Sequence, residues 1–118
     1  MTQCITFYTT YKDDIRKFID TICKKLETQT SYTPFVVAIL EDFFAKYDYE
    51  FITETHFMYY TEIAVVAAIW IIDKYIEDDH LYLTDLSRMT LKRIKWSQII
   101  KVESDIFFIC TNIRKYIN

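Results

Sequence analysis

The chain has 118 residues, a formal net charge of −3 and 52% hydrophobic residues, so it can build one packed core and falls outside the low-hydropathy class of disordered chains. It contains no glycine and one proline, which excludes the Walker loops, Rossmann turns, nucleophile elbows and type I′ hairpins that need the backbone freedom of glycine. Its basic residues are dispersed, with no run longer than Lys24-Lys25, and together with the acidic net charge this argues against nucleic acid as a partner.

The spacing of apolar residues predicts five helices, each with one face turned to a common core. Helix A is predicted over about 12–28 and helix B over about 34–48, where Thr33-Pro34 supplies a capping hydroxyl followed by proline at the first helical position. The apolar faces of these two helices consist of Ile15, Phe18, Ile19, Ile22 and Leu26 and of Phe35, Ala38, Ile39, Phe43 and Tyr47.

Helix C is predicted over about 54–77, with Thr53 or Thr55 as its cap. Its middle, Ile63–Ile72, is apolar on every side and is bounded by charged residues, so other helices must surround it. The apolar run is about half as long as a bilayer span. We therefore expect a core helix and no membrane association.

Helices D and E are predicted over about 84–94 and 97–115, capped by Thr84 or Asp85 and by Ser97. The sequence thus predicts an all-α fold, a single five-helix bundle over residues 1–118 with helix C at its centre. The apolar stripe of helix E consists of Ile99, Val102, Ile106, Cys110 and Ile113, widened by Phe107.

The chemically reactive side chains form no recognisable site. Cys4, Cys23 and Cys110 are odd in number and widely separated, so we expect small apolar fillers rather than disulfides or a zinc site. His56 and His80 lack both ligand spacing and a partner motif for nucleophilic catalysis. We therefore expect no catalytic residue, no metal and no cofactor. Because no basic N-terminal region precedes an apolar stretch, we expect an intracellular protein, cytoplasmic or nuclear.

The end of helix C carries an unusual group of charges, Asp73-Lys74-Tyr75-Ile76-Glu77-Asp78-Asp79-His80. Three consecutive acids near a helix C-terminus oppose the macrodipole, which favours positive charge there. Lys74 lies three and four residues before Glu77 and Asp78, so intrahelical ion pairs are one explanation of the pattern. A role in binding is the other.

The same residues resemble the third helix of the cyclin box, in particular that of P-type (U-type) cyclins. That family carries paired alanines followed, about seven residues on, by a lysine, an aromatic residue and two acids. The corresponding residues here are Ala67-Ala68, Lys74, Tyr75 and Glu77-Asp78.

The resemblance extends over about residues 12–115. Tyr82 matches a tyrosine in the loop that follows the acids, Glu103 matches a glutamate amid apolar residues of the fifth helix, and Pro34–Leu40 is similar to the second helix. The chain has room for one of the two five-helix repeats that many cyclins hold, as in a minimal cyclin or a viral mimic.

The resemblance implies a regulatory subunit that binds a cyclin-dependent kinase. In cyclins the third-helix lysine and the fifth-helix glutamate lie side by side and engage the kinase around its αC helix, so Lys74 and Glu103 would be the polar anchors here. Tyr75, Ile71 and Phe107 would supply the surrounding contact surface. The chain would favour the active arrangement of the kinase by binding it preferentially, without a catalytic residue of its own.

Two other interpretations stay open: a helical interaction protein of another kind, such as a Bcl-2-like groove binder, and a helical scaffold in which Lys74 and Glu103 form only a structural ion pair. An exposed pair flanked by exposed Ile71, Tyr75 or Phe107 favours an interface, and an enclosed pair favours a structural role. Self-association is a further expectation, because it would cover an apolar face left bare by a missing second repeat.

Overall fold

Helices make up all of the regular structure in the part of the chain that the computed structural model describes, residues 2–26, 32–76, 83–90 and 93–117. The predicted helices A to E correspond to five of them, and the all-α fold class is confirmed. In chain order the helices are α1 (Gln3–Thr10), α2 (Lys12–Leu26), α3 (Thr33–Lys46), α4 (Glu54–Ile76), α5 (Leu83–Met89), α6 (Trp96–Ile109) and α7 (Arg114–Ile117).

Two helices, α1 and α7, were not predicted. Only Cys4 and Tyr8 of α1 are buried, which is too few to produce a periodic pattern. Three threonines of α1 bond their hydroxyls to carbonyls one turn earlier, as hydroxyl residues within helices commonly do. Helix α7 is a single turn, below the length at which periodicity is detectable.

Two predicted helix ends are wrong. Helix E was predicted to reach residue 115, but α6 ends at Ile109 with Cys110 as its C-cap, just before the weak helix formers Thr111 and Asn112. Helix D was predicted to reach residue 94, but α5 ends at Met89. The hydroxyl of the next residue, Thr90, donates to the Ser87 carbonyl at 2.7 Å and accepts from the Ile94 N–H at 3.2 Å, which closes a turn instead.

The capping predictions are confirmed at one helix and wrong at three. Helix α5 begins at Leu83, so the predicted caps Thr84 and Asp85 lie within its first turn. The Thr53 hydroxyl accepts from the His56 N–H at 3.1 Å, so it caps α4. Helix α3 begins at Thr33 itself, whose hydroxyl bonds to the Asp20 carboxylate of α2 at 2.7 Å instead of capping. Helix α6 begins at Trp96, so the predicted cap Ser97 lies within its first turn.

Helix α4 lies at the centre of the bundle, where α1, α2, α3, α5 and α6 pack against it, α6 most extensively. Every residue of Ile63–Ile72 is buried except the half-buried Trp70, which confirms the prediction of a surrounded helix. By length and hydropathy alone α4 would also be able to cross a bilayer. Most of its apolar window is covered by the other helices, as in the core helix of a bundle.

The buried face of α3 is rotated relative to the predicted one. Phe35, Ala38 and Tyr47, predicted to face inward, are only half-buried. The reason is that α3 packs against α1 and α2 as well as α4, so covering elements lie on more than one side of it. The residues of α3 that are fully buried are Val36, Ile39, Leu40, Phe43 and Phe44.

An extended segment, residues 47–53, joins α3 to α4 and is fixed by α1. The Gln3 side chain pairs with the Phe51 backbone twice, accepting from its N–H at 2.6 Å and donating to its carbonyl at 3.1 Å. The Cys4 thiol donates to the Tyr49 carbonyl at 3.3 Å. Because successive side chains of an extended chain alternate in direction, Tyr47, Tyr49 and Phe51 turn towards the same side.

Candidate partner-binding surface

The two residues predicted to act as polar anchors are in contact. Lys74 lies in the last turn of α4 and Glu103 in the middle of α6, and Lys74 Nζ is 2.7 Å from Glu103 Oε2. Lys74 Nζ also lies 3.4 Å from the centre of the Trp70 ring, one helical turn earlier on α4, which is cation–π geometry. The Lys74 side chain is 37% exposed and that of Glu103 14%, so the ammonium reaches the surface while the carboxylate is mostly covered.

The three predicted flanking residues have different environments. Tyr75 is 47% exposed and Phe107 is half-buried against the core. Ile71 is fully buried, so its assignment to the contact surface is wrong. The reason is that α4 is enclosed as far as Asp73, and among residues 70–75 only Trp70, Lys74 and Tyr75 reach solvent.

Helix α6 carries a second apolar stripe, which the sequence interpretation missed. Trp96, Ile100, Glu103 and Phe107 are spaced by four, three and four residues, so they share one face of the helix. Trp96 is 56% exposed and Ile100 is also exposed. We call these four residues the outer stripe of α6. The sequence already contained evidence for this stripe. Trp96 and Ile100 lie outside the buried stripe of α6, on a part of the helix surface where polar residues are usual.

Part of the predicted charge cluster lies outside the described residues. This part includes Glu77, Asp78 and His80, so the alternative of intrahelical ion pairs from Lys74 to these acids also lies outside the described residues. Tyr82, which belongs to the cyclin resemblance, lies outside them as well. Asp73 is buried. Its carboxylate accepts a hydrogen bond at 3.0 Å from the hydroxyl of Tyr32, the residue that precedes α3. Burial of this carboxylate with a hydrogen-bond partner ties α4 to the start of α3.

A cleft of about 420 Å³ lies on the opposite side of α6 from Glu103. One wall is aromatic, and the other comes from α6. Asp105 of α6 accepts from the Tyr60 hydroxyl of α4 at 2.8 Å and from Lys101 Nζ at 2.8 Å. The residues lining the cleft are Tyr47, Tyr49, Phe51, Tyr60, Ile63, Ser97, Gln98, Lys101, Val102 and Asp105.

Three titratable groups of the cleft, Tyr47, Tyr60 and Lys101, have raised pKa values. Burial, followed by hydrogen bonds with Tyr47 and Asp105, raises the pKa of the Tyr60 phenol far above its usual value. The hydrogen bond to Asp105 raises the pKa of Lys101. Tyr60 is therefore a neutral donor and Lys101 a cation across the physiological pH range.

The remaining reactive groups lie in the core or form no cluster. Cys4 and Cys110 are buried apolar residues, as predicted, and burial together with the nearby Asp48 raises the pKa of Cys4 to about 11. Among the residues that the structure describes, no three His, Cys, Asp or Glu side chains come close enough together to hold a metal ion.

Comparison with family models, curated proteins and solved structures finds no match to this chain. The cyclin resemblance therefore stays a prediction that rests on the residues quoted for it.

Proposed function

We propose that the chain is a cyclin-like regulatory subunit that binds a cyclin-dependent kinase through the end of α4 and the outer stripe of α6. The observation that supports this function is the Lys74–Glu103 ion pair, which joins two helices far apart in sequence and leaves the lysine ammonium at the surface. The cyclin resemblance depends on these two residues, and it led us to expect that they lie side by side.

The pair has the properties of a preorganised anchor. An ammonium has three protons, of which Lys74 directs one at Glu103, and its Nζ lies over the Trp70 ring. Binding therefore requires little further ordering of this side chain. A partner that supplies a carbonyl or carboxylate oxygen can use the Lys74 proton that is directed at neither Glu103 nor the Trp70 ring.

Apolar residues surround the pair, as is common at the energetic centre of protein interfaces. Trp96 and Ile100 lie towards the start of α6, and Phe107 follows Glu103 by one turn. Phe108 is 87% exposed and extends the apolar area to the adjoining face. An exposed group of large apolar side chains with a polar anchor is typical of an interaction site.

The proposed mechanism is binding without catalysis by this chain. Kinase activity requires the αC glutamate to pair with the lysine of strand β3. A subunit with greater affinity for that arrangement shifts the kinase population towards it. Lys74 and the outer stripe would be the contacts that provide this difference in affinity.

The competing function is a helical interaction protein without a kinase partner, in which the pair only ties α4 to α6. The small exposure of Glu103 and the stacking of Lys74 on Trp70 favour it, because both groups are satisfied within the chain. A test must therefore separate loss of binding from loss of folding.

The test is binding of the full chain to a panel of purified cyclin-dependent kinases, with affinity capture from cell lysate and a kinase assay on the eluate. Lys74→Glu is expected to weaken kinase binding at least tenfold. Lys101→Glu is the matched control, because it makes the same charge change to another ion-paired lysine, on the opposite side of α6. The control is expected to bind as the unmodified chain does.

A charge swap separates the two functions. In Lys74→Glu/Glu103→Lys the pair can form again inside the chain, so the melting temperature is expected to recover while kinase binding stays lost. Recovery of both would assign the pair a structural role only. Failure of the unmodified chain to bind any kinase of the panel or the lysate would overturn the cyclin function.

A further inference from the structure

The segment that joins α3 to α4 exposes three consecutive residues, Asp48, Tyr49 and Glu50. Tyr49 is 55% exposed. Its backbone carbonyl accepts from the Cys4 thiol of α1 at 3.3 Å, so the main chain is held against the bundle while the side chain reaches solvent. The protein therefore displays a tyrosine between two acids on an extended backbone, a form in which many proteins recognise a peptide segment.

The Tyr49 hydroxyl is available for chemistry. Among the described tyrosines, only Tyr49 and Tyr75 are both exposed and without a hydrogen bond from the hydroxyl to another described residue. Tyr75 follows a lysine and lies in the last turn of α4, so its backbone is helical. The other tyrosines of the described ranges are buried or hydrogen-bonded through the hydroxyl: Tyr8, Tyr11, Tyr32, Tyr47, Tyr59, Tyr60 and Tyr116.

The ring of Tyr49 has two aromatic neighbours and otherwise faces solvent. It is inclined by 11° to the Tyr47 ring, with the ring centres 6.0 Å apart, and it meets Phe51 edge to face at 4.8 Å. Exposed side chains change rotamer within nanoseconds. The ring can therefore leave both contacts and enter the active site of another protein, while the backbone stays attached to α1.

The two flanking carboxylates are uncompensated. Asp48 and Glu50 form no ion pair with any residue that the structure describes. The basic residue nearest in sequence, Lys46, pairs with Asp42 at 3.1 Å. A basic groove of another protein complements such a segment, and charge patterns of this kind help kinases to select their substrates.

We propose that Tyr49 is a phosphorylation site of a protein tyrosine kinase that recognises acidic segments. The Tyr49 hydroxyl oxygen forms a bond to the γ-phosphorus of ATP held by that kinase. The bond from this phosphorus to the β–γ bridging oxygen breaks, ADP leaves, and the phenol proton passes to a carboxylate of the kinase. The proposal is independent of binding through Lys74, because the chain is here the substrate of an enzyme.

The product has a cation in its surroundings. Phosphotyrosine carries nearly two negative charges at neutral pH. Tyr49 lies on the aromatic wall of the 420 Å³ cleft, and Lys101 lies on the α6 wall of the same cleft. The Lys101 ammonium directs one proton at Asp105 and retains two others. The phosphate is thus added beside a cleft that contains a donor of opposite charge.

The experiment incubates the folded full chain with ATP and a panel of purified tyrosine kinases, some selective for acidic and others for basic peptides. Phosphate is located by mass spectrometry of the intact chain and of its peptides. A synthetic peptide of residues 44–55 is the reference substrate. We expect phosphorylation at Tyr49 alone by an acid-selective kinase, with a kcat/KM within about tenfold of that for the peptide, because the segment is already extended and exposed.

Hydroxyl variants test the position of the phosphate. Tyr49→Phe is expected to abolish phosphorylation. Tyr75→Phe is the matched control, because it removes the other exposed hydroxyl without a hydrogen bond among the described residues, and it is expected to leave the rate unchanged. Melting temperatures of both variants should equal that of the unmodified chain, since neither hydroxyl bonds to a described residue.

Charge variants test the recognition. Asp48→Asn/Glu50→Gln is expected to lower kcat/KM of the acid-selective kinase about tenfold. Asp13→Asn/Asp14→Asn makes the same change of net charge at two exposed acids of α2 and is expected to leave kcat/KM within about twofold.

Four results would overturn the proposal. The first is phosphorylation of the peptide but not of the folded chain, which would mean that the packed segment is inaccessible. The second is phosphate at other tyrosines with Tyr49 unmodified, and the third is an equal kcat/KM for the two charge variants. The last is failure of every kinase of the panel to modify either the chain or the peptide.

Discussion

Helix α6 carries two carboxylates, Glu103 and Asp105, that lie about 200° apart around its axis. They accept hydrogen bonds from different kinds of donor. Glu103 accepts from an ammonium, Lys74, at the exposed end of α4. Asp105 accepts from a phenol, Tyr60, within an aromatic cluster, and from Lys101 of its own helix. Each carboxylate joins α6 to α4, yet one contact is ionic and near solvent and the other includes a neutral, half-buried donor.

The difference separates a contact that responds to salt from one that responds to pH and packing. An ion pair near solvent is screened by electrolyte and contributes little to stability. A half-buried hydroxyl bonded to a carboxylate is costly to remove, because the carboxylate loses a hydrogen bond in a place that bulk water only partly reaches. The Tyr60 side of α6 is therefore expected to fix the helix, while the Lys74 side is available for a partner.

Removal of the Tyr60 ring is expected to have the largest effect. Tyr60→Ala leaves a void among Phe43, Tyr47 and Phe51, whose rings contact it, and should lower the free energy of unfolding by about 3 kcal/mol. Tyr60→Phe removes only the hydroxyl and should cost about 1–2 kcal/mol. Urea unfolding measures both. Tyr59→Phe, which removes a more exposed hydroxyl, is the control and should cost under about 0.5 kcal/mol. Equal costs for Tyr60→Phe and Tyr59→Phe would contradict the larger stabilising role assigned to the Tyr60 hydroxyl.

Alkaline pH should destabilise the protein in part through Tyr60. The folded-state pKa of Tyr60 is raised above its ordinary value, so its contribution is complete below the unfolded-state pKa of about 10 and falls as the pH rises beyond it. Tyr60→Phe should reduce the loss of stability above that pH by up to about 1.4 kcal/mol per pH unit. The measurement is urea unfolding at a series of pH values on either side of 10. An unchanged slope in Tyr60→Phe would contradict the assigned titration.

The sequence predicted the positions of five helices because their buried faces repeat with helical spacing. The apolar middle of α4 led directly to its central place. Helix α1 was missed because it buries only two residues, and the end of α6 was misplaced because the buried Cys110 and Ile113 continue its stripe beyond the helix. A periodic pattern of apolar residues indicates which residues are buried. It does not show where a helix ends, because residues in a following turn can be buried as well.

The candidate surface was predictable only in part. The resemblance indicated the contact between Lys74 and Glu103, which no local pattern contains. The burial of Ile71 depends on how closely the neighbouring helices cover α4, and the cation–π contact with Trp70 depends on the Lys74 rotamer. The cleft beside Tyr60 depends on the course of residues 47–53, which α1 fixes through Gln3 and Cys4. These features arise from tertiary packing, so spacing along the chain does not encode them.

Disruption of the Lys74–Glu103 pair should have the smallest effect on folding. A double-mutant cycle with Lys74→Met and Glu103→Gln should give a coupling energy of about 0.5–1 kcal/mol in low salt, because the pair is partly exposed. The coupling should fall towards zero in about 1 M NaCl, where the Debye length is about 3 Å. Urea unfolding in both salts provides the measurement.

The cost of Tyr60→Phe should change little between the two salts, since its donor is uncharged, and it serves as the internal reference. A salt-independent coupling between Lys74 and Glu103 would mean that the pair is held like the Tyr60–Asp105 contact. The contacts on the two sides of α6 would then contribute to folding in the same way, and the Lys74 side would not be more available to a partner than the Tyr60 side.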